Sequence, residues 1–442
     1  MKTYKILLTF SAFLIGLSFI YIYKQYYNPI SIEEVFPGKP WSKTIEQLPD
    51  LKGVGPPRAE NCGKCHTEIY REWKTSTHAH ANSDLQFQAE LSKPSSPKWI
   101  CLNCHIPIQN QRETIINSLQ GGDYFKPIEV TNTKFDQAMK DEGVTCATCH
   151  VRLDERGESV VITANGFSSP PHPIQLNPKL LQNRCLDCHN ETYTLNKSLV
   201  CYFQTGDELQ EGKKHFPDKN CVNCHLPEIS RSIVKNEFKK PIRNSHKHAF
   251  IGGGVPKEFN LYKDQILGGY VTGVTLLSFD YANHEISVKY QNANAAHYVP
   301  TGDPERFLRL EFIFLDEMKK VLSKKEDTIG QIWQWEPQAK LMSENRLRPK
   351  EIREWSESNL NENVRYVIFR ITHVKLKNIT SEYMQLNANS ALESYREKLK
   401  NIKEFYPHSS IVLESMIDLK TKKVNDTKLT DLFLRNQFRR GE

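Results

Sequence analysis

The sequence predicts a multidomain protein in which an N-terminal transmembrane helix precedes a mainly helix-and-loop domain and a mostly antiparallel, sandwich-like β domain. Three observations predict this class: an uncharged run near the N-terminus, five copies of one cysteine motif between residues 62 and 225, and strand-like alternation in the C-terminal half. The predicted boundaries are 1–28 for the anchor, 29–58 for a linker, 59–255 for the cysteine-rich domain and 256–442 for the β-rich domain.

Composition supports a folded, mostly soluble chain of more than one domain. Of its 442 residues 38% are hydrophobic and 25% are charged, which excludes both a disordered tail and a polytopic membrane protein. The net charge of +7 is mild and comes without basic blocks, so nucleic acid is not an expected partner. The apolar content is slightly low, which indicates that something other than side chains fills part of the interior.

The N-terminal anchor is predicted from the uncharged stretch Ile6 to Tyr23, which is flanked by lysines and is just long enough to cross a bilayer as a helix. A cleaved signal peptide is the alternative, because Gly16-Leu17-Ser18 is a weak small-x-small site. Cleavage there would leave the apolar run from Phe19 to Tyr23 exposed, so we favour the anchor. Residues 29–58 contain six prolines and no hydrophobic period, which predicts a tether to the next domain.

One motif, Cys-x-x-Cys-His, recurs five times. Its copies are Cys62, Cys65 and His66; Cys101, Cys104 and His105; Cys146, Cys149 and His150; Cys185, Cys188 and His189; and Cys221, Cys224 and His225. This spacing is typical of covalent haem c, because one short helical turn brings the two thiols to the two vinyl groups on one porphyrin edge and the adjacent histidine under the iron. The sequence therefore predicts five covalently attached haem c groups, with these ten cysteines binding the cofactor and these five histidines binding iron.

Simpler interpretations of a Cys-x-x-Cys pair are a redox dithiol or half of a zinc site. Neither requires histidine at the next position, yet histidine follows all five pairs although only 15 of the 442 residues are histidine. Haem c is attached on the outer side of the cytoplasmic membrane, so the chain beyond Tyr23 is predicted to be periplasmic, with the N-terminus inside. If the leader is cleaved, the protein is instead soluble in the periplasm.

The second axial ligand of each iron matters because a second strong ligand closes the iron to substrates. These ligands are predicted to be histidines, because methionine is rare in this region. Candidates from the residues alone are His78 or His80, His172, His215, His246 or His248, and His297. The favoured count is thus five distal histidines for five irons. Which member of each neighbouring pair binds iron stays open from the residues alone.

The C-terminal half changes to a period of two. Ile286, Val288 and Tyr290 alternate with polar residues, and so do the apolar residues from Leu308 to Phe314. Further strands are predicted at 269–281, 329–336, 364–376 and 409–419, which together favour an antiparallel sandwich. One helix is predicted to interrupt them, with Ala388, Leu392, Tyr395, Leu399 and Ile402 on one face.

These residues resemble the multihaem cytochromes of the cytochrome c-554 type, also called the cytochrome c-552/4 domain. The resemblance rests on the first haem motif followed by Trp73-x-x-Ser76-x-His78-Ala79, on His248-Ala249-Phe250-x-Gly252, and on the run His297 to Gly302 with Arg306 opening a strand. It implies that His78, His248 and His297 are distal ligands in preference to His80 and His246. It also implies a periplasmic electron carrier with closely stacked haems, although five haems and an appended sandwich depart from the family pattern.

The function expected from the sequence is a membrane-anchored periplasmic cytochrome that relays single electrons between a membrane quinol-oxidising partner and a downstream acceptor. The alternative is a multihaem oxidoreductase that acts on a small nitrogen or sulfur compound, such as nitrite or hydroxylamine, at one open haem. We favour the carrier over the catalytic reductase, since all five motifs end in histidine and the candidate distal ligands are numerous enough to close every iron.

Overall fold

A computed structural model describes residues 13–23, 27–94, 96–165, 170–194, 200–235, 238, 241–252, 269–335 and 337–436. Residues 13–23 are helical, whereas residues 6–12 of the predicted anchor lie outside the described part. None of the helices within these ranges is both long enough and apolar enough to span a bilayer. The predicted transmembrane helix is therefore unsupported. The predicted domain boundary at residues 255/256 also lies outside the described residues.

The segment predicted as a linker, residues 29–58, packs on the cysteine-rich region. Its strand β1 (Pro29–Ser31) pairs antiparallel with β2 (Thr114–Gln120), and helix α1 (Ile32–Val35) and a 3-10 turn (Pro40–Ser42) follow. Ile32 and Trp41 are buried in one cluster with Trp99 and Leu119. The apolar residues of this segment are too widely spaced to show a period, so their burial is not visible in the sequence pattern.

The cysteine-rich region is built from short helices. They are α2 (Ala59–Gly63), α3 (Thr67–Lys74), α4 (Leu85–Ser92), α5 (Lys98–His105), α6 (Gln137–Asp141), α7 (Cys146–His150), α8 (Pro178–Asn183), α9 (Leu186–His189), α10 (Thr205–Gly212) and α11 (Cys221–His225), with a 3-10 turn at Gln109–Gln111. Four of these helices end on the histidine of a cysteine motif. The prediction of a helical region is confirmed, and each motif brings its thiols and histidine together within about one helical turn.

Small sheets that the sequence did not predict connect these helices. Besides β1 and β2 they consist of β3 (Pro127–Thr131), β4 (Val151–Leu153), β5 (Ser159–Thr163), β6 (Ile174–Leu176), β7 (Thr192–Thr194), β8 (Val200–Tyr202), β9 (Glu228–Arg231) and β10 (Arg243–His246). Most of these strands have only three to five residues. A run that short contains too few positions for a period of two to be recognised.

The C-terminal part is rich in sheet, as predicted. Its strands are β11 (Val274–Ala282), β12 (Glu285–Asn292), β13 (Phe307–Leu315), β14 (Val321–Gln334), β15 (Lys340–Glu344), β16 (Ile352–Glu357), β17 (Tyr366–Val374), β18 (Ser409–Asp418) and β19 (Lys423–Asp426). They form a three-stranded sheet in the order β11-β12-β16 and a six-stranded sheet in the order β15-β14-β13-β17-β18-β19. All described pairings in both sheets are antiparallel.

One hydrophobic core joins the two sheets. Val288 and Tyr290 of the smaller sheet are buried in the same cluster as Phe312 and Phe369 of the larger sheet. The ring of Trp355 stacks on Phe312 with centroids 4.3 Å apart. The alternating residues identified in the sequence therefore face inward, which is the arrangement of a β-sandwich.

The helix predicted around residues 388–402 is divided. It comprises a 3-10 turn (Ala388–Ser390), α13 (Glu393–Lys400) and α14 (Ile402–Phe405), preceded by α12 (Asn378–Leu386), and α15 (Leu429–Asn436) closes the described chain. Leu399 and Ile402 are buried, but Leu392 is 66% exposed, because it caps α13 instead of lying on its inner face. This helical cluster packs against Leu85 and Ala89 of α4 and so connects the two parts of the molecule.

Candidate haem-binding sites

The first motif differs from the other four in its backbone. Helix α2 ends at Gly63, so the predicted haem-binding residue Cys65 lies in the turn that follows the helix. The backbone N–H of Cys65 still donates to the carbonyl oxygen of Cys62 at 3.2 Å, and its own carbonyl oxygen accepts the backbone N–H of Lys235 at 3.0 Å. The backbone N–H of His66 also donates to the carbonyl oxygen of Cys62, at 2.9 Å, so this motif too spans about one helical turn. Attachment of haem to Cys65 stays a prediction.

Backbone carbonyl oxygens fix four of the five motif histidines. Each Nδ1 atom contacts one oxygen: His66 that of Ile233 at 2.7 Å, His105 that of Ala81 at 2.7 Å, His150 that of Ile162 at 3.1 Å, and His225 that of Ile251 at 2.8 Å. A carbonyl oxygen only accepts hydrogen bonds, so Nδ1 must carry the proton and donate it. The Nε2 lone pair is then left for a metal, as in most histidine-ligated metal sites.

Three motif histidines face a second histidine ring. The ring centroids are 6.2 Å apart for His189 and His78, 6.3 Å for His150 and His248, and 6.2 Å for His225 and His297. A metal bound at about 2 Å from one nitrogen of each ring, with each ring centre about 1 Å further back, separates the centroids by about 6 Å. The rings are therefore spaced as two axial ligands of one iron would be, and the residues present fit haem c at these positions.

Burial keeps these histidines in the form that binds a metal. It lowers the pKa of His78 and of His248 to about 3, and the pKa of His189 and of His297 to about 4. The imidazoles are thus neutral at pH 7, and only the neutral ring has a free lone pair for iron. The ligand assignments stay predictions that this geometry favours.

Ring placement favours His78 and His248 as the predicted ligands, because each of their rings faces a motif histidine. His248 faces His150 and its Nδ1 donates to the carbonyl oxygen of His246 at 2.9 Å. The Nδ1 atom of His246 also contacts a carbonyl oxygen, that of Leu226 at 2.6 Å, but among the described residues its ring contacts no motif histidine. In this second pair, therefore, His248 is the member whose ring faces a motif histidine.

The remaining two motif histidines differ from these three. Burial lowers the pKa of His66, and a smaller contribution comes from His172, which therefore lies nearby. His105 instead stacks on Phe87, with parallel rings whose centroids are 3.5 Å apart. The predicted ligand His215 is exposed, and among the described residues no histidine ring contacts it. Among the described residues, neither His172 nor His215 has a ring contact with a motif histidine.

Thiols from different motifs lie in contact, a feature that the sequence analysis did not predict. Cys62 interacts with Cys146, Cys104 with Cys188, and Cys185 with Cys221. These contacts bring the first motif next to the third, the second next to the fourth, and the fourth next to the fifth, so haems attached at these thiols would be neighbours. Cysteine spacing carries no information about such contacts, because they depend on the folded path between motifs.

Three other predicted haem-binding cysteines are partly buried. Burial raises the pKa of the Cys101, Cys149 and Cys224 thiols, so each is protonated at pH 7. A thiol that joins a haem has no need of an exposed position in the folded protein. Their burial therefore fits the predicted thioether role, which itself stays a prediction.

An aromatic ring connects two of the histidine pairs. The Phe250 ring lies 4.5 Å from the ring of His78 and 5.9 Å from the ring of His248, centroid to centroid. His78 faces the fourth motif and His248 faces the third. Phe250 therefore lies between the sites of the third and fourth motifs.

Comparisons with known proteins find cytochromes. A family model described as cytochrome c554 and c-prime matches residues 61–151, the stretch that contains the first three motifs. A solved structure of a penta-heme cytochrome c552 from Thermochromatium tepidum is similar with a TM-score of 0.54 and 20% sequence identity, covering 84% of this chain and 100% of that chain. No curated protein matches this chain. The predicted resemblance to multihaem cytochromes c of the cytochrome c-554 type is confirmed.

Proposed function

We propose that this multihaem cytochrome c carries five haems and relays single electrons along them, without chemistry on a substrate. The observation that carries the proposal is the spacing of three histidine pairs, 6.2 to 6.3 Å between ring centroids, in the interior of the fold. An iron with two imidazole ligands has no free position for a substrate and can only change its oxidation state. Sites of this kind suit an electron carrier better than an enzyme that binds a substrate at iron.

Contacts between motifs support a continuous path. The thiol contacts link the first motif to the third, the second to the fourth and the fourth to the fifth. Phe250 lies between the histidines that face the third and fourth motifs, which joins the two groups. Every motif then has at least one neighbour, and an electron entering at any site could reach the others.

We infer that the protein works on the periplasmic side of the cytoplasmic membrane, held there by its N-terminal segment. The covalent attachment of haem c supports this compartment, and the uncharged run before Lys24 supports the anchor. Its partners would be a quinol-oxidising membrane protein and a downstream acceptor. Fractionation of cells that express the full chain tests this placement: recovery in washed membranes supports the anchor, and recovery in the soluble periplasmic fraction supports a cleaved leader.

Two measurements on the purified holoprotein test the relay. Intact mass should exceed that of the polypeptide by five haem groups, and the oxidised protein should show low-spin ferric signals by electron paramagnetic resonance. Fewer than five adducts would remove the pentahaem proposal. Predominantly high-spin signals would remove the bis-histidine proposal.

A second candidate function is favoured by one observation, the surroundings of His105. Among the described residues its ring partner is Phe87 and not a second histidine. Asp84, whose charge acts on the His105 imidazole, is hydrogen-bonded to the partly buried Tyr406. An iron held there by one histidine would be open to a small nitrogen or sulfur compound such as nitrite or hydroxylamine. The test is whether one high-spin haem per chain binds these molecules, because such binding requires a free position that the relay does not.

A further inference from the structure

Two buried glutamate–arginine pairs lie beside the loops that carry His248 and His297. Glu72 is 5% exposed and binds Arg231 through both carboxylate oxygens, at 2.6 and 2.9 Å. Glu208 is also 5% exposed and binds Arg346 at 2.5 Å. In each pair the glutamate lies on a helix of the cysteine-rich region, α3 or α10.

The first pair holds the backbone of His248 directly. Oε2 of Glu72 accepts the backbone N–H of His248 at 2.9 Å. Arg231 donates from Nη2 to the carbonyl oxygen of His246 at 2.8 Å, and that same oxygen accepts the Nδ1 proton of His248 at 2.9 Å. The ion pair thus fixes both the main chain of His248 and the group that orients its ring.

The second pair holds the residue after His297 in the same way. Oε2 of Glu208 accepts the backbone N–H of Tyr298 at 3.2 Å and the hydroxyl proton of Thr301 at 2.6 Å. The Nδ1 atom of His297 donates to the carbonyl oxygen of that same Tyr298 at 2.8 Å. Nη2 of Arg346 also donates to Oε2 of Glu344 at 2.8 Å. This second contact fixes the guanidinium group that binds the carboxylate of Glu208.

Both loops come from distant parts of the chain. His248 lies 176 residues after Glu72, and Tyr298 lies 90 residues after Glu208. Closing such long loops costs conformational entropy, and a buried ion pair by itself contributes little to stability because both charges lose their water. A buried carboxylate whose remaining lone pairs accept N–H and O–H groups from a distal loop is instead suited to fixing one loop geometry.

We propose that Glu72 and Glu208 are positioning residues that hold His248 and His297 opposite His150 and His225. The inference rests on the proposed relay function, since it concerns how the distal histidines of that relay are kept at their axial positions. Without either carboxylate the corresponding loop loses its anchor, and its histidine leaves the axial position often enough for another ligand to enter.

Carbon monoxide binding by the reduced holoprotein tests the proposal, because carbon monoxide binds only an iron with a free axial position. Glu72→Ala and Glu208→Ala should each add one carbon monoxide per chain to the value for the unmodified protein, and the double variant should add two. In the oxidised state each single variant should lose one low-spin signal. These readouts report ligation at individual irons and do not depend on catalytic activity.

The matched control is Glu414→Ala. Glu414 is also buried, accepts hydrogen bonds from Arg370 at 2.7 Å and Arg435 at 2.8 Å, and lies in the sandwich on β18. This variant should lower the melting temperature as the other two do, with carbon monoxide stoichiometry unchanged. An equal gain of carbon monoxide binding in the control would overturn the proposal, since general loosening would then explain the effect.

Glutamine variants cover the case in which an alanine variant does not accumulate with full haem content. Glu72→Gln and Glu208→Gln keep the side-chain volume but replace charge-assisted hydrogen bonds with neutral ones, which are about half as strong. Carbon monoxide should then bind roughly tenfold faster than to the unmodified protein, and an unchanged rate would overturn the proposal. If the unmodified protein lacks bis-histidine signals, the relay function itself fails. If it has them and the variants match it, only the positioning role fails.

Discussion

Gly212, the last residue of α10, allows the helix to lie against the loop that carries His297. A Cβ atom at this position would lie 2.0 Å from the carbonyl oxygen of Ala296, about 1.4 Å inside the 3.4 Å at which ordinary contacts begin, and 3.2 Å from Pro349. The clash is with backbone, so a side-chain rotation cannot relieve it. Gly212→Ala must therefore separate Ala296 and the end of α10 by more than 1 Å, and we expect this shift to displace His297, the next residue, from its place opposite His225.

The cost follows from comparing two opposing effects. Alanine in a helix is more favourable than glycine by about 0.5 to 1 kcal/mol, whereas overpacking against a fixed backbone costs about 1 to 3 kcal/mol. We expect a net loss of stability of at most about 2.5 kcal/mol. We also expect that His297 no longer reaches an iron held by His225, because a ligand bond of about 2 Å does not tolerate a displacement of that size.

The assay compares Gly212→Ala with Gly252→Ala. Among the described residues no atom lies within 4 Å of the place that a Cβ at Gly252 would take, so this position should accept alanine freely. Gly212→Ala should lose one low-spin ferric signal and bind one additional carbon monoxide when reduced, with a lower melting temperature. Gly252→Ala should behave like the unmodified protein. Unchanged low-spin intensity in Gly212→Ala would refute the reasoning, because the close approach to Ala296 would then have no effect on His297.

Three further predictions test other parts of the structure. His78→Ala should convert one haem to a form that binds carbon monoxide, because the His78 ring faces His189. His215→Ala should leave the spectrum unchanged, because His215 is exposed. Opposite results would reverse the ligand assignment. Replacing Cys185 and Cys188 together by serine should lower the mass by one haem, and an unchanged mass would refute attachment there. Phe312→Ala should lower the free energy of unfolding of the sandwich by about 3 to 5 kcal/mol, because Phe312 is fully buried in that core. Denaturant unfolding measures this loss, and the haem content should stay constant. A smaller loss would contradict the central role of Phe312.

Much of the fold could be predicted from the sequence. The strands around Val288 and Phe312 are recognisable because one face of each is buried, and burial of one face imposes a period of two. The short strands of the cysteine-rich region and the packing of Trp41 are not recognisable, because their few apolar residues obtain partners only from distant segments. The membrane-spanning helix is the predicted element for which the described residues give no support.

The sequence by itself predicts where haem is attached, because that chemistry needs only two thiols and a histidine within five consecutive residues. Only the tertiary structure decided which histidine faces which motif: His78 faces the fourth, His248 the third and His297 the fifth. The same holds for the buried pairs of Glu72 and Glu208, whose partners are far away in the chain. The physical reason is that attachment is a local reaction, whereas axial pairing is a long-range contact that exists only once the intervening chain has folded.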